Sequence, residues 1–163
     1  MNDKRSIAVL PFVNISSNSE AEYFSDGITE EIINALAKIQ ELRVTSRTSS
    51  FSFKGTNSTI SEIGKQLNVS IILEGSVRLS GASARITTQL IEVKNDFHFW
   101  SETFDRDLSN VFAVQDEISL IIADKLREHF GHFELDARLV DSYNVSFDPV
   151  FYTNLTLPTI YSA

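Results

Sequence analysis

The spacing of apolar residues changes twice along this chain, and this change limits the possible folds more than any other feature. After an apolar run at residues 7–10, residues 25–40 carry apolar side chains at intervals of three and four, which predicts an amphipathic helix. Residues 70–104 then form three strand-like stretches joined by short turns, which predicts an antiparallel three-strand meander. The helical spacing returns at residues 108–130.

Shorter signals fill the gap between the first helix and the meander. We expect a cap at Ser25 or Asp26, a short strand at 42–47 and a loop at 48–58. Residues 59–62 match a helix capping box, and Asn68 can end that helix in the left-handed conformation. The chain therefore predicts an α/β (α+β) fold: an early strand-helix-strand-helix part, the meander, and a final long helix packed on a mixed sheet.

The composition limits the partners and the chemistry. The net charge is −8 and the pI is about 4.8, which argues against direct nucleic-acid binding by this segment, because such binding depends on clustered Lys and Arg. The absence of cysteine excludes thiolate catalysis and disulfides. No apolar run approaches the roughly 20 residues of a membrane helix, so membrane insertion is not expected.

One polar cluster is a candidate ligand site. Arg47 ends a predicted strand and is succeeded by hydroxyl side chains that include Ser49 and Ser50, a set that could hold a small anion. The alternative is structural, with Arg47 paired to a carboxylate such as Glu74 and the hydroxyls capping the loop. We favour the structural interpretation, because a lone arginine with hydroxyls is a common structural arrangement.

The neighbouring motif at 74–76 does not predict a nucleophile. A hydrolase elbow needs Gly-x-Ser-x-Gly between strand and helix, whereas strand residues follow Ser76. Gly75 instead predicts a bulge or a close backbone approach within its strand.

Other combinations of polar residues fall short of a catalytic or metal site. His129 and His132 lie three apart across a glycine at a helix end, which is a poor metal-ligand arrangement. The acidic residues at 102, 105 and 107 favour salt bridges and a helix cap over acid–base chemistry. The aromatic run at 97–104 lacks the nearby basic residues that nucleic-acid stacking would need. We therefore expect no catalytic, cofactor-binding or metal-binding residues, no cofactor, and no enzyme.

The end of the chain suggests a partner surface. Phe130 closes the last predicted helix away from its apolar stripe, and Phe133 follows it. Several apolar residues on one side suggest a surface for a partner, with weak self-association of the isolated domain. Periodicity fades after residue 130, so we divide the chain into a domain at 1–130 and a C-terminal extension at 131–163.

A series of short motifs carries a family resemblance over residues 6–130. In chain order they are SIAVLPF (6–12), YFSDGITEE (23–31), SRTSSF (46–51), LEGSVR (73–78), TQLI (88–91), WSE (100–102) and FAVQDEI (112–118). This ordered set resembles the TolB amino-terminal-like domain of bacterial regulatory proteins, which tetratricopeptide repeats usually follow. The resemblance implies a compact α/β domain beside an effector such as a DNA-binding module, a nucleotide cyclase or a kinase.

Two functional hypotheses follow. The first is a non-enzymatic interaction or scaffold domain of a bacterial signalling protein, linking an effector to helical repeats, with protein partners or neighbouring domains of the same chain. The second is a small-ligand sensor for an anion or nucleotide-like molecule at the Arg47 loop. The compartment stays open between bacterial cytoplasm and periplasm, with the cytoplasm favoured.

Overall fold

The structure, a computed structural model, describes residues 5–16 and 19–131. Its order of elements confirms the predicted fold class, with one short strand and one short helix that the sequence pattern did not predict. The elements are β1 (Ser6–Val9), β2 (Val13–Asn14), α1 (Ser19–Ala37), β3 (Arg43–Val44), α2 (Arg47–Phe51), α3 (Ile60–Leu67), β4 (Ile71–Ser80), β5 (Ser83–Glu92), β6 (Phe97–Asp107) and α4 (Val111–Phe130), the last preceded by a 3-10 turn at Leu108–Asn110.

The six strands form one mixed sheet in the order β3-β1-β4-β5-β6, and β2 also pairs with β4. The pairs that involve β1 and β2 are parallel, and Ile7 lies opposite both Val44 and Ile71. The pairs β4–β5 and β5–β6 are antiparallel, as the predicted meander requires. The register shift in the meander lies at Leu90/Ile91, and the β4–β5 register at Gly75 is regular, so Gly75 is not a bulge.

The two faces of the sheet are covered differently. Helices α1 and α4 pack on one face and enclose the main core, which includes Ile28, Leu73 and Ile118. The shorter α3 covers only part of the other face, where it encloses a small cluster built on Ala8 and Ile72. Beyond α3 this second face carries polar side chains that remain exposed, namely Arg78, Arg85, Ser101, Thr103 and Asp105.

Helix α1 begins six residues before the predicted start. Ser25 was expected to cap the helix, but its hydroxyl lies inside α1 and donates to the Ala21 carbonyl at 2.7 Å. Ala21 and Ser25 are fully buried, so the packed face of the helix extends towards its amino end through small residues. The helical periodicity did not indicate this part of the face, because that pattern depends on large apolar residues and these positions carry small or hydroxyl side chains.

The connection after α1 also differs from its prediction. The strand predicted at 42–47 is only the two residues Arg43–Val44, and part of the predicted loop forms α2. This short helix begins where the Ser46 hydroxyl accepts a hydrogen bond from the Ser49 amide at 3.2 Å. The next helix was predicted correctly: Thr59 and Glu62 form a capping box, and Asn68 ends α3 in the left-handed conformation.

The final helix lies on the sheet as predicted, with Ile118, Ile122 and Leu126 fully buried. Leu120, on the same helix, is also buried. None of the helices within residues 19–131 is long and apolar enough to cross a membrane.

Candidate functional site

A cleft of about 880 Å³ opens where α3 stops covering the second sheet face. Its floor is the middle of β4 and β5. One side is formed by residues 53–60, before and at the start of α3, and the other by the segment 10–15 that contains β2. We name it the Glu74 cleft after the half-buried carboxylate on its floor.

Four half-buried polar side chains form the floor. Glu74 lies directly opposite Gln89 in the β4–β5 register, and Ser76 lies opposite Thr87 two positions further along. Alternation in the strands places all four on the same face. Within the part of the chain that the structure describes, none of these side chains has a hydrogen-bond or ion-pair partner.

Burial raises the pKa of the Glu74 carboxyl, and the negative charge of Asp96 raises it further. His98 acts in the opposite direction. Burial disfavours the ionised carboxylate because it loses hydrating water, and Asp96 disfavours it by repulsion between like charges. The floor of the cleft therefore holds a carboxylate whose charge is poorly compensated.

Gly75 brings the backbone of the floor close to a neighbouring ring. An ideal Cβ at Gly75 would lie 2.6 Å from Cε2 of Phe12 and 2.3 Å from the carbonyl oxygen of Thr87. The close approach predicted for this glycine is thus confirmed, and it is what lets Phe12 pack beneath the cleft.

Phe12 is itself held by α1. Its amide donates to the Thr29 hydroxyl at 2.9 Å, and that hydroxyl donates to the Ser25 carbonyl at 2.7 Å. All three residues are buried. The start of β2 is therefore tied to the helix on the opposite face of the sheet.

The β2 side of the cleft exposes aliphatic side chains. Val13 is 59% exposed and Ile15 is 49% exposed, and both line the cleft. Their backbone is held on the sheet, because the Ile15 amide donates to the Val77 carbonyl at 3.0 Å. The exposed apolar surface is therefore presented by ordered backbone.

The only lysine or arginine lining the cleft is Lys54, within the described residues, and it is already paired. Its ammonium lies 2.6 Å from Glu22 and 2.8 Å from Asp26. The hydrogen bond to Asp26 is the main cause of the raised pKa of Lys54, and the hydrogen bond from Lys54 lowers the pKa of Glu22.

The Arg47 cluster is not assembled as the sequence suggested. Arg47 pairs with Glu30 at 3.0 Å, not with Glu74, and its guanidinium lies 4.1 Å from the ring centroid of Phe51. It does not line the Glu74 cleft. The reason is the helix α2, which begins at Arg47 and puts it beside α1.

The serines of that cluster serve α2. The Ser49 amide donates to the Ser46 hydroxyl that caps α2. Ser50 is buried, and its hydroxyl has no hydrogen-bond partner in the described ranges. Of the four residues in the predicted cluster, only Glu74 lies in the cleft.

The other predicted polar groups form local pairs. Asp105 binds Arg85 at 2.7 Å, the Asp107 carboxylate accepts from the Ser109 amide at 2.8 Å, and Arg106 binds Glu117 at 2.7 Å. The Asp105 salt bridge and the Asp107 cap match the expectation, whereas the partner of Arg106 is Glu117 on α4.

The aromatic residues near the end of α4 divide between core and surface. Phe104 and Trp100 pack in the main core, and Phe99 stacks on His129 at 4.1 Å between ring centroids. Phe130 is partly buried against the main core. Phe133 and His132, by contrast, lie outside the described residues.

The sequence could have indicated part of this cleft. Residues Ser76, Thr87 and Gln89 alternate with buried residues, which marks one polar face, but alternation does not say which faces stay uncovered. Val13 and Ile15 gave no usable signal, because the two-residue β2 lies in what reads as a polar loop.

A relative contradicts one expectation. The chain is 47% identical over 124 residues to a Rhizobium meliloti (strain 1021) protein named "Putative adenylate cyclase 3". The match covers 76% of this chain, which spans about a fifth (21%) of that relative's length. The expectation that the protein is not an enzyme is therefore wrong, because the relative's name is that of an enzyme.

Solved structures share the fold at low identity. TolB from Acinetobacter baumannii has a TM-score of 0.54 at 14% identity, over 77% of this chain and 29% of that one. Lipoprotein GNA1162 from Neisseria meningitidis has a TM-score of 0.55 at 14% identity, over 73% and 94%. The LpoB C-terminal domain from Escherichia coli has a TM-score of 0.51 at 18% identity, over 64% and 83%. The TolB-like fold is thus confirmed, whereas the link to tetratricopeptide repeats stays a prediction.

A family model matches residues 3–121, which is most of the described chain. Its description is that of a regulator domain, in agreement with the regulatory class that the motifs implied. The chain belongs to the family "HilA/YgeH-like transcriptional regulator, second domain".

Proposed function

We propose that this chain is an interaction domain of a bacterial regulatory protein, and that it binds a partner protein or a neighbouring domain through the Glu74 cleft. The observation that carries the proposal is the combination of exposed Val13 and Ile15 with a floor of polar groups that have no partner among the described residues. Protein interfaces combine such apolar contact area with hydrogen-bonding groups, and each alone would be ordinary surface.

The regulated output belongs to the same proposal. Regulator-family membership and the cyclase relative support a domain that acts together with an effector. We propose a nucleotide cyclase as that effector, supplied by a part of the protein outside the matched segment, which is only 21% of the relative. Residues 1–130 would form the interaction domain, and 131–163 with Phe133 would lead towards neighbouring modules.

The test is made in the full-length protein that contains this chain, with cyclic AMP formation from ATP as the readout. Ile15→Glu puts a charge into the apolar side of the cleft, and we expect it to change the rate at least fivefold. Phe112→Glu is the matched control, because Phe112 is 73% exposed on α4 and does not line the cleft.

Equal changes in the rate of cyclic AMP formation for the two variants would contradict the proposed role of the cleft. Absence of any cyclic AMP formation by the wild-type protein would remove the cyclase from the proposal. Circular dichroism of both variants establishes that they remain folded.

A further inference from the structure

We propose that the Glu74 cleft binds a lysine or arginine side chain of an extended partner segment. The cation would lie at Glu74 and Gln89, with a neighbouring apolar side chain against Val13 and Ile15. This inference rests on the proposed function and adds the chemistry of the partner.

Charge complementarity is the first argument. The charged residues lining the cleft are Glu22, Lys54, Glu74 and Asp96. Lys54 is held between Glu22 and Asp26, so it does not neutralise the floor. Glu74 and Asp96 have no lysine or arginine partner within the described chain, which leaves the cleft acidic.

The arrangement of acceptors is the second argument. Glu74 and Gln89 are directly opposite on neighbouring strands, so their side chains lie within about 5.5 Å at Cβ. Ser76 and Thr87 add two hydroxyl oxygens beside them. Lysine offers three N–H donors and arginine offers five, so a cationic side chain could use a carboxylate, an amide oxygen and hydroxyls together.

The cost of Glu74 to the free domain is the third argument. Its carboxyl is half-buried and has no lysine or arginine counter-ion in the ranges 5–16 and 19–131, and burial of an unpaired charge is unfavourable. A glutamine of nearly the same shape would avoid this cost. An incoming cation would convert the desolvated carboxylate into a charge-assisted hydrogen-bonding partner.

The extent of the cleft favours a polypeptide over a free amine. A volume of about 880 Å³ reaches from the floor to the exposed aliphatic side chains of β2. A small amine at Glu74 would leave Val13 and Ile15 in water, whereas an extended segment would cover them as well. Binding would then combine apolar burial with a charge contact.

The experiment uses the 163-residue chain and two blocked peptides, acetyl-Val-Arg-Leu-Ala-amide and the same peptide with citrulline for arginine. Citrulline keeps the shape and removes the charge. Affinities come from a titration followed by amide NMR signals. We expect the arginine peptide to bind about tenfold tighter than the citrulline peptide, because charged hydrogen bonds are the stronger kind. The largest shifts should occur at Val13, Ile15, Glu74 and Gln89.

A pair of variants locates the charge. Glu74→Gln should weaken the arginine peptide about tenfold and leave the citrulline peptide nearly unchanged. Glu102→Gln removes the same charge from an exposed position on β6 and should change either affinity less than twofold. If both variants weaken binding equally, the attraction is general and the assignment to Glu74 is wrong.

Three other results would overturn the inference. Equal affinities for the two peptides would show that the cleft binds apolar side chains and does not distinguish arginine from citrulline. Binding of n-butylguanidinium as tightly as the arginine peptide would identify a small-amine site. If neither peptide binds at millimolar concentration while Ile15→Glu still alters the full-length protein, the partner chemistry is wrong and the proposed function stands.

Discussion

The ring of Phe12 occupies the space that a Cβ atom at Gly75 would need, with an ideal Cβ only 2.6 Å from the ring carbon Cε2. Phe12 is 1% exposed, and it precedes β2 directly. The contact therefore joins the β2 side of the Glu74 cleft to its floor. The absence of a side chain at Gly75 is what allows the segment before β2 to pack this close to β4.

Gly75→Ala should destabilise the domain by about 1–3 kcal/mol, because the added methyl group meets both the ring and the Thr87 backbone. The measurement is urea unfolding followed by circular dichroism. Gly27→Ala is the control, since Gly27 lies within α1 and has no atom within 4 Å of its ideal Cβ. It should be neutral or stabilising by up to about 1 kcal/mol through helix propensity. If Gly75→Ala leaves the unfolding free energy unchanged, the Phe12 ring can move aside without cost.

Thr29→Val should cost about 1–3 kcal/mol of unfolding free energy, because the buried Phe12 amide would lose its acceptor. Thr29→Ser keeps the hydroxyl and should recover most of that loss. Chemical denaturation compares both variants with the wild type, since valine matches threonine in size and serine lacks only the methyl group. If the valine variant is as stable as the wild type, the hydrogen bond from the Phe12 amide does not contribute to stability.

Glu74→Gln should make the free domain more stable at neutral pH. The folded-state pKa of Glu74 is raised, so the folded protein binds this proton more tightly than the unfolded chain does. Its contribution to stability therefore falls as pH rises above the ordinary glutamate pKa of about 4.3. The gain in unfolding free energy of the variant over the wild type should be smallest near pH 4 and grow as the pH rises towards 7, as measured by urea unfolding across that range.

Glu22→Gln serves as a control of opposite sign. Its hydrogen bond with Lys54 lowers the pKa of Glu22, so the wild-type carboxylate stabilises the fold above its unfolded pKa, and this stability is lost as pH falls. The glutamine variant should be the less stable protein at pH 7. The same pH trend for both variants would contradict the assigned causes.

Ile118→Ala should destabilise the domain by about 2–5 kcal/mol, since Ile118 is fully buried where α4 packs in the main core. Phe112→Ala removes a larger side chain on the same helix, but one that is 73% exposed, and should cost no more than about 0.5 kcal/mol. Thermal unfolding distinguishes the two. A large loss for Phe112→Ala would indicate that this ring packs against a partner copy or another part of the chain.

Local signals in the sequence determined the type and order of most elements. The capping box at Thr59 and the left-handed end at Asn68 depend on neighbouring residues alone, and both were predicted correctly. The meander was also predictable, because its turns are short and its strands pair with their neighbours in sequence. These features need no knowledge of distant contacts.

Only the tertiary structure decided which face of each element is covered and which polar groups meet. Arg47 pairs with Glu30 and not with Glu74, because α2 places Arg47 beside α1. Glu30 lies on α1, 17 positions before Arg47 in the chain. The cleft exists because the eight-residue α3 is too short to cover the face that β4 and β5 present. Side-chain alternation shows that a strand has two different faces. It does not show which face is covered, because the covering elements are distant in the sequence.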